Sequence, residues 1–244
     1  MSTKERLDVA LVARGLAETR AKAQASIMSG IVYVNGQKVD KAGAPVAADA
    51  VLEVRGHTLR YVSRGGLKLE KAMAAFPITL TDCICADIGA STGGFCDVLL
   101  RRGAAHVIAL DVGHGQLDPR IAGNERIIEM SGVNIRDVEA DDLPYRPSMI
   151  VSDVSFISLT YVIPVIARIA APGAHVVLLV KPQFEVGKGN LGKNGIVESE
   201  TLRKQALDTV TACAKANGLD VRATAVSPIE GTHGNIEYLL YAVA

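Results

Sequence analysis

The sequence predicts an α/β fold in which a small α+β module precedes a doubly wound sheet of seven strands, the last of them antiparallel. From residue 64 onward, strand-like apolar runs alternate with helical segments, which indicates a mostly parallel sheet with helices on both faces. Ahead of it, two short helices and a hairpin form a different pattern. At 244 residues and 49% hydrophobic, the chain can bury a sizeable core. We therefore expect two domains, residues 1–60 and 61–244.

Charge is distributed unevenly along the chain. The formal net charge is zero, yet residues 1–76 hold 12 Lys and Arg against 7 Asp and Glu, and residues 77–244 hold 14 against 19. The first part is therefore +5 and the rest is −5. Nucleic acid is the usual partner of such a basic module, although a plain solvated surface gives the same composition.

The amino-terminal module follows the order helix, helix, hairpin. Gly15 should stop the first helix, and Thr19 is placed to cap the second. Asn35 and Gly36 stand between two strand-like runs, which predicts a type I′ turn. Two further extended pieces are expected in this module, Val51–Val54 and Leu59–Val62.

Basic side chains of this module are either phosphate contacts or scattered solubility charges. The stretch RLDVALVARGLAETRAKAQASIMSGIVYVNG resembles the S4-type RNA-binding domain, which was first known from a ribosomal small-subunit protein. This resemblance implies RNA rather than DNA as the partner. With two lysines of a later loop included, the residues expected to bind RNA are Arg6, Arg14, Arg20, Lys22, Lys38, Arg64, Lys188 and Lys193.

In the larger part, the short span of residues 227–235 leaves no room for a helix between the last two strands. Those two strands should therefore pair antiparallel. Helices are expected near residues 94–102, 159–170 and 199–217. The seven strands are expected at Ile84–Ile88, His106–Val112, Arg126–Met130, Met149–Val154, His175–Lys181, Val221–Val226 and Ile236–Val243.

Neither secretion nor membrane insertion is expected. The opening segment MSTKERLDVALVARG is charged from its fourth residue and has no apolar signal segment. The most membrane-like stretch, residues 149–171, is interrupted by two charges and a proline, so it falls short of an apolar span of about 18 residues. The four cysteines lack paired spacing and partnering histidines, so no metal site and no disulfide framework is expected. A cytoplasmic protein fits best.

The segment ADIGASTGGF joins a strand to a helix through a glycine-rich turn. Such a turn presents unpaired backbone amides to a ligand, although it can also be merely a tight turn. Its spacing, D-x-G-x-x-x-G, differs from the GxGxxG of dinucleotide-binding proteins, which weakens a nicotinamide interpretation. It resembles the first motif of S-adenosylmethionine-dependent methyltransferases. This implies cofactor contacts at Asp87, Gly89, Ala90, Ser91, Thr92, Gly93, Gly94 and Phe95.

Two more cofactor contacts are expected beyond this turn. Asp111 ends the next strand in ALDVG, where its carboxylate could accept hydrogen bonds from both ribose hydroxyls of the cofactor. A carboxylate at that position would serve NAD equally well. After the third strand, VNIRD lies where the adenine should be, and Asn134 is the contact that we expect there.

The fourth and fifth strands each end in a charged residue, Asp153 in MIVSDVSF and Lys181 in LLVKPQ. If these strands are neighbours, the two charges can touch. A structural salt bridge is one interpretation, although a pair buried for stability alone barely breaks even. The other is catalysis, because a lysine freed of its proton can align a ribose 2′-hydroxyl and take its proton. Asp153 would hold that lysine, and we also expect it to contact the cofactor.

The larger part also contains SRGGLKLEKA, DIGASTGGFCDVLLRRGA, ALDVGHGQL, VSDVSFISL, LLVKPQFEVGK and GTHGNIEYLL. Together these stretches resemble the TlyA family, the so-called hemolysin A proteins that are ribosomal RNA 2′-O-methyltransferases. That family is similar to the FtsJ-type methyltransferases, which have a Rossmann-like sheet and use a Lys-Asp-Lys-Glu set. The resemblance implies that the catalytic residues are Lys68, Asp153, Lys181 and Glu237.

Two of these residues, and one loop, also have ordinary explanations. Lys68 flanks the apolar face of its helix, where a surface lysine is common. Glu237 lies among apolar residues, where an unpaired carboxylate is costly, and the resemblance implies that it pairs with a lysine across the site. The glycine-rich loop that carries Lys188 and Lys193 is either a lid that orders on RNA or a surface loop.

The expected function is S-adenosylmethionine-dependent 2′-O-methylation of ribose in 16S and/or 23S ribosomal RNA. A base methyltransferase is disfavoured, because amino-group methylators usually carry D/N-P-P-Y/F where this chain has SDVSF. The alternatives are a membrane-active hemolysin, for which the sequence offers no span, and an RNA-binding protein without catalysis. The expected partners are ribosomal RNA or ribosomal subunits, with no membrane and no obligatory protein partner.

Overall fold

The structure is a computed structural model that describes residues 4–55, 60–231 and 234–244. The chain forms two compact units, Met1–Arg64 and Gly65–Ala244. The domain boundary expected between residues 60 and 61 stays a prediction, because residues 56–59 beside it lie outside the described residues.

The first unit is a small α+β module built on two helices, α1 (Leu7–Ala13) and α2 (Arg20–Met28). Its strands are β1 (Lys4–Arg6), β2 (Val32–Val34), β3 (Gln37–Lys38), β4 (Pro45–Ala47) and β5 (Leu52–Val54). Strand β1 pairs with β4, and β2 lies between β3 and β5, with every pair antiparallel. Its core is formed by apolar side chains of both helices and of β2, including Leu7, Leu11, Ile27 and Val32.

Local sequence signals explain how this unit turns. Thr19 caps α2, because its hydroxyl accepts a hydrogen bond from the backbone N–H of Lys22. Asn35 and Gly36 have φ of +50° and +78°, as a type I′ turn between β2 and β3 requires. The extended piece expected at Leu59–Val62 is wrong for residues 60–62, which form bends, and Leu59 lies outside the described residues. A short apolar run becomes a strand only where packing and a paired neighbour support it.

The second unit is built on a mixed sheet of seven strands. They are β6 (Ile84–Ile88), β7 (His106–Asp111), β8 (Ile127–Ser131), β9 (Met149–Ser152), β10 (His175–Val180), β11 (Asp220–Val226) and β12 (Tyr238–Val243). Their order across the sheet is β11-β12-β10-β9-β6-β7-β8. Strand β12 is antiparallel to both of its neighbours, whereas the pairs among β6 to β10 are parallel. The expected α/β fold class is confirmed.

Helices pack on the two faces of this sheet. Helices α5 (Leu159–Ile169) and α7 (Glu200–Ala216) cover one face, and their N-caps are Ser158 and Ser199. The alternate residues of the same strands are also buried, beneath α3 (Gly65–Ala75) and α4 (Gly94–Arg101), which contact each other. A short helix, α6 (Pro182–Glu185), directly follows β10 and was not predicted from the sequence.

The strand directions bring charged residues to one edge of the sheet. Strands β7, β9 and β10 run in the same direction, so Asp111, Asp153 and Lys181 lie at or just beyond their carboxyl ends on the same edge. Strand β12 runs the opposite way, and its first residue, Tyr238, pairs with Val180. The residue before β12, Glu237, is therefore placed at this edge as well.

The described part of the chain contains no helix that is long and apolar enough to cross a membrane. Within the same residues, no group of three or more His, Cys, Asp or Glu is arranged to hold a metal ion. The four cysteines are free thiols. Burial raises the pKa of the Cys85 thiol to about 12, so this group is a neutral thiol at neutral pH.

Candidate active site

Four charged side chains from distant parts of the second unit meet in one ionic group, the Lys-Asp-Lys-Glu cluster of Lys68, Asp153, Lys181 and Glu237. The Nζ atom of Lys181 lies 2.6 Å from Oδ1 of Asp153. The Nζ atom of Lys68 lies 2.6 Å from Oε2 of Glu237 and 3.6 Å from Oδ2 of Asp153. Asp153 thus stands between the two lysines, and the contacts join all four charges.

The cluster is largely hidden from solvent. The side chains of Lys68 and Lys181 are 10% and 9% exposed, and those of Glu237 and Asp153 are 2% and 21% exposed. Two cations balance two anions, which makes their burial tolerable, whereas removal of one partner would leave an uncompensated charge. Because Asp153 is the most exposed of the four, solvent reaches the cluster mainly on its side.

The carboxylate of Glu237 approaches a glycine that the sequence did not single out. A Cβ atom added to Gly231 would lie 2.2 Å from Oε1 of Glu237, which is far closer than real side chains approach. The backbone N–H of Gly231 also donates to the carbonyl of Asn235, at 2.8 Å, in the turn that precedes β12. Gly231 therefore leaves the space that Glu237 occupies beside Lys68.

Lys181 has a second polar neighbour that sequence reasoning missed. Its Nζ atom donates a hydrogen bond to Oγ of Ser155, at 2.7 Å. Ser155 is followed by Phe156, whose φ of +66° is rare for a bulky residue and whose side chain is 92% exposed. The ring of Phe156 tilts against that of Phe184, with 5.3 Å between the ring centroids. A Phe three residues after the strand-end Asp153 was the only sequence signal for this group.

The loops that carry Asp153 and Lys181 are also fastened together by Glu185. Its carboxylate accepts hydrogen bonds from the hydroxyl of Ser158, at 2.5 Å, and from the backbone N–H of Leu159, at 2.9 Å. Burial raises the pKa of Glu185, and the two hydrogen bonds oppose that rise. Helix α6, which begins directly after Lys181, is thereby joined to the first turn of α5.

The glycine-rich turn between β6 and α4 is held in an unusual backbone conformation. Gly89, Ser91 and Gly93 all have positive φ, of +81°, +47° and +84°. A Cβ atom on Gly93 would lie 2.3 Å from Cδ1 of Ile121, so a side chain does not fit there. The turn leads into α4 at Gly94 and leaves the amides at the start of that helix without intrahelical partners.

Asp111 ties this turn to the end of β7. Its two carboxylate oxygens accept hydrogen bonds from the backbone N–H groups of Ser91 and Gly113, each at 2.8 Å. A small depression beside it is lined by Ala90, Ser91, Asp111, Gly113, Glu129 and Ser131, among others. Because a carboxylate has about four lone-pair positions, Asp111 can still accept hydrogen bonds from a ligand in this depression.

Asp87, the penultimate residue of β6 before this loop, is a buried carboxyl with no ion-pair partner in the described part of the chain. Its Oδ2 accepts the thiol hydrogen of Cys96, at 3.0 Å, and its Oδ1 has no hydrogen-bond partner among the described residues. Burial raises the pKa of Asp87 to about 7; the Cys96 thiol opposes the rise, and the negative charges of Asp153 and Asp111 add to it. This group therefore changes its charge near neutral pH.

The comparison with known proteins agrees with these observations. The FtsJ-like methyltransferase family matches residues 61–243, and the S4 domain family matches residues 5–52. The chain belongs to the FtsJ-like methyltransferase family. The resemblance expected from the sequence is confirmed, and the protein is a methyltransferase with an S4 domain.

Relatives of this FtsJ-like methyltransferase match it over nearly its whole length. The TlyA protein of Mycobacterium tuberculosis, named a 16S/23S rRNA (cytidine-2′-O)-methyltransferase, is 40% identical over 99% of this chain and 90% of its own. YqxC of Bacillus subtilis, whose name gives it provisionally as an rRNA methyltransferase, is 47% identical over 98% of this chain and 86% of its own. A solved structure from Streptococcus thermophilus that bears a hemolysin name has a TM-score of 0.78 and 46% identity, covering 100% of this chain and 89% of its own.

In the S4 domain, a buried carboxylate holds two basic side chains at the surface. Asp8 accepts hydrogen bonds from Arg6 at 3.0 and 3.1 Å, from Arg20 at 2.9 Å and from Gln24 at 2.7 Å. These hydrogen bonds hold the pKa of Asp8 well below its usual range, and the one from Arg6 has the largest effect. Asp8 is fully buried, whereas the side chains of Arg6 and Arg20 are 51% and 56% exposed. We call this group the Asp8 cluster.

The other basic side chains predicted to contact RNA differ in the contacts that they make within the protein. Arg14 donates to the carbonyls of Ala47, Ala48 and Ala50, at 3.2, 3.1 and 2.5 Å, so its guanidinium fastens α1 to the segment around β4. Lys22 pairs with Glu18 one helical turn away. Exposed lysines are found at 38, 188 and 193, and Arg64 is half-buried. Their binding to RNA stays a prediction.

Of the remaining predicted cofactor contacts, Asn134 has a structural use. Its Oδ1 accepts the backbone N–H of Arg136, at 3.1 Å, and so caps the 3-10 helix Ile135–Asp137. Phe95 is buried, whereas Thr92 is exposed and its carbonyl accepts the N–H of Asp118, at 3.1 Å. Contacts between these residues and a cofactor stay predictions.

Proposed function

We propose that this methyltransferase transfers a methyl group from S-adenosylmethionine to the 2′-oxygen of a ribose in 16S and/or 23S ribosomal RNA. The observation that carries the proposal is the Lys-Asp-Lys-Glu cluster, which stands at the same sheet edge as the glycine-rich turn. The names of relatives support the substrate, since the TlyA protein of Mycobacterium tuberculosis is named for 2′-O-methylation of cytidine in 16S and 23S rRNA. Such a substrate places the proposed reaction in the cytoplasm.

The residues around the turn fit S-adenosylmethionine. Asp111 would accept hydrogen bonds from the ribose hydroxyls of the cofactor, and the Gly89–Phe95 turn would hold its methionine part. Asp153, whose backbone lies beside Gly89 of this turn, supplies negative charge, which suits a cofactor that carries a positive sulfur. When bound, the cofactor supplies an electrophilic methyl group.

Within the cluster, Lys181 would act on the ribose hydroxyl. As the 2′-oxygen forms its bond to the methyl carbon, the bond from that carbon to sulfur breaks and its electron pair stays on sulfur. The hydroxyl proton has to leave, and an amine at Nζ of Lys181 can accept it. The resulting ammonium is stabilised by Asp153 at 2.6 Å. Lys68, which is paired with Glu237, contributes a second positive charge near an oxygen that gains negative charge during proton loss.

We further propose that residues 1–60 bind RNA and residues 61–244 carry out the transfer. In the S4 domain, Arg6 and Arg20 are half-exposed and have fixed orientations, as phosphate contacts require. In the catalytic unit, the exposed ring of Phe156 offers a surface on which a base drawn out of an RNA helix can stack. Lys188 and Lys193, exposed on the segment after α6, would reach the phosphates of the same RNA.

The test is a methylation assay on purified ribosomal subunits from a strain that lacks the gene. Small and large subunits are incubated separately with S-adenosylmethionine that carries a labelled methyl group, and modified riboses are mapped by their resistance to alkaline cleavage. We expect new 2′-O-methyl groups that appear only with the protein. Label in a base instead of a ribose would overturn the reaction assignment, and tight RNA binding without label would leave an RNA-binding protein.

A further inference from the structure

The ammonium nitrogen of Lys181 has a defined set of partners. A lysine Nζ has three bonding positions besides its bond to Cε. In the described part of the chain, Oγ of Ser155 accepts a hydrogen bond from it at 2.7 Å, Oδ1 of Asp153 is its ion-pair partner at 2.6 Å, and the centre of the Phe184 ring lies 5.9 Å away. One position is thus left for a group that is not part of these residues.

This arrangement matters most when Lys181 is a neutral amine. A neutral amine has two N–H bonds and one lone pair, and only the lone pair can accept a proton. Two acceptors attract both N–H bonds, so the lone pair is directed to the third position. With a single acceptor, rotation about the Cε–Nζ bond would distribute the lone pair over two positions, and fewer encounters would be productive.

The two acceptors are not equivalent in charge. Asp153 carries a negative charge, which orients the amine but also favours its protonated form. The Ser155 hydroxyl is a neutral acceptor, so it orients the same nitrogen with much less preference for the ammonium. A pair made of one charged and one neutral acceptor therefore orients the nitrogen without placing a second negative charge beside it.

The backbone around Ser155 is held in place by other contacts. Phe156 adopts its left-handed conformation, which costs energy and persists only where surrounding structure supports it. The ring contact between Phe156 and Phe184 and the hydrogen bonds of Glu185 with Ser158 and Leu159 supply that support. These contacts join the loop that carries Ser155 to the helix that begins after Lys181. They therefore hold Ser155 and Lys181 at their hydrogen-bond distance of 2.7 Å.

We infer that Ser155 is a positioning residue of the methyl transfer, which fixes the lone pair of Lys181 toward the ribose 2′-hydroxyl. The inference rests on the proposed function. It requires the hydroxyl of Ser155 rather than its size, and it assigns Ser155 no contact with the RNA or with the cofactor.

The experiment uses a matched pair, Ser155→Thr and Ser155→Val, because these side chains have nearly the same shape and differ in the hydroxyl. We expect S155T to keep most of the wild-type kcat. We expect S155V to lose about tenfold in kcat, the loss that corresponds to one hydrogen bond of about 1.4 kcal/mol. The KM for ribosomal subunits and the calorimetric affinity for S-adenosylmethionine should be the same in both variants.

A third variant, Ser155→Asp, adds a charge at the same position. A second carboxylate beside Lys181 would favour the ammonium, so the pH at half-maximal kcat/KM should rise by about 1 unit. Equal kcat values for S155T and S155V, or an unchanged pH profile for S155D, would overturn the inference. If wild-type protein transfers no methyl group to ribose, the proposed function fails instead, and the two failures are thereby distinguished.

Discussion

Both units of this protein contain a cluster of carboxylates and cations, and the two clusters are arranged in opposite ways. In the Asp8 cluster, the carboxylate is buried, and the cationic ends of Arg6 and Arg20 are half-exposed. In the Lys-Asp-Lys-Glu cluster, the lysines are themselves buried. The first arrangement presents oriented positive charge to a large partner, whereas the second encloses charge around one position where a small group can react.

The difference also explains the choice of cations. An arginine can bind its carboxylate through one edge and still offer N–H groups to a phosphate, because its guanidinium has five donors in a rigid fork. A lysine can change its protonation state when buried, which a guanidinium cannot do under ordinary conditions. Under the proposed function, the S4 domain would use arginines to contact RNA phosphates, and the FtsJ-like unit would use lysines for proton transfer.

The largest effect is expected from Lys181→Ala. This variant removes the amine proposed to accept the proton, so methyl transfer to ribosomal subunits should fall by about 10²- to 10⁴-fold. The measurement is single-turnover transfer of labelled methyl groups. Lys71→Ala, which removes an exposed lysine from α3, is the control and should keep wild-type activity. Comparable rates for K181A and wild type would remove Lys181 from the proposed mechanism.

A large pH-dependent effect on stability is expected from Asp87, the buried carboxyl near the end of β6. Its pKa of about 7 lies above the ordinary value of 3.8, so between these pH values the folded protein keeps a proton that the unfolded chain has lost. Asp87 therefore contributes a stabilisation that is fully present below about pH 4 and is lost as the pH rises through about 7.

Asp87→Asn cannot lose that proton. The free energy of unfolding of D87N, relative to wild type, should rise between about pH 4 and about pH 7, by at most ~4 kcal/mol. Urea unfolding at several pH values gives this difference, and Asp208→Asn, at an exposed pair on α7, serves as the control. Parallel stability curves for D87N and wild type would contradict the role given to Asp87.

An intermediate effect is expected from Gly231→Ala. The added methyl group occupies the position of the Glu237 carboxylate, so the ion pair with Lys68 has to shift. We expect about a tenfold loss of kcat, comparable with the loss of a hydrogen bond to a charged group. Gly189→Ala is the matched control, because a Cβ there meets nothing within 4 Å. Equal rates for the two variants would show that the position of Glu237 is unimportant.

The smallest effect is expected in the S4 domain, from Arg20→Ala. Loss of one phosphate contact should weaken RNA binding severalfold and reduce the slope of log affinity against log salt by about 1. Affinity for S-adenosylmethionine should not change. Filter binding at several salt concentrations measures the slope, and Lys204→Ala on α7 controls for the lost charge. An unchanged slope for R20A would assign Arg20 to holding Asp8 alone.

Much of the fold could be predicted because its signals are local. The apolar run of β10, the turn at Asn35 and Gly36 and the lack of room for a helix before β12 each depend on neighbouring residues only. The extended piece at residues 60–62 failed, since pairing depends on what lies beside a strand. Helix α6 was missed, because it spans only four residues after a proline.

The candidate site was predictable where strand ends determine it. Asp153 and Lys181 follow adjacent parallel strands, so their proximity follows from the strand order. Ser155, Glu185 and Gly231 could not be found in this way, because their contacts depend on loop conformations such as the positive φ of Phe156. For Asn134, the sequence did not reveal that its side chain caps a 3-10 helix.

The hydrogen bond between Lys68 and Glu237 joins residues that are 169 positions apart in the chain. Glu237 directly precedes β12, which lies between β10 and β11, so the bond requires β12 to be in its place in the sheet. A molecule that has released this strand therefore leaves Lys68 without its nearer counter-ion and should lose activity. Activity in this enzyme would then report the integrity of the whole catalytic unit, so that heat-damaged or unfinished copies would leave ribosomes unmarked.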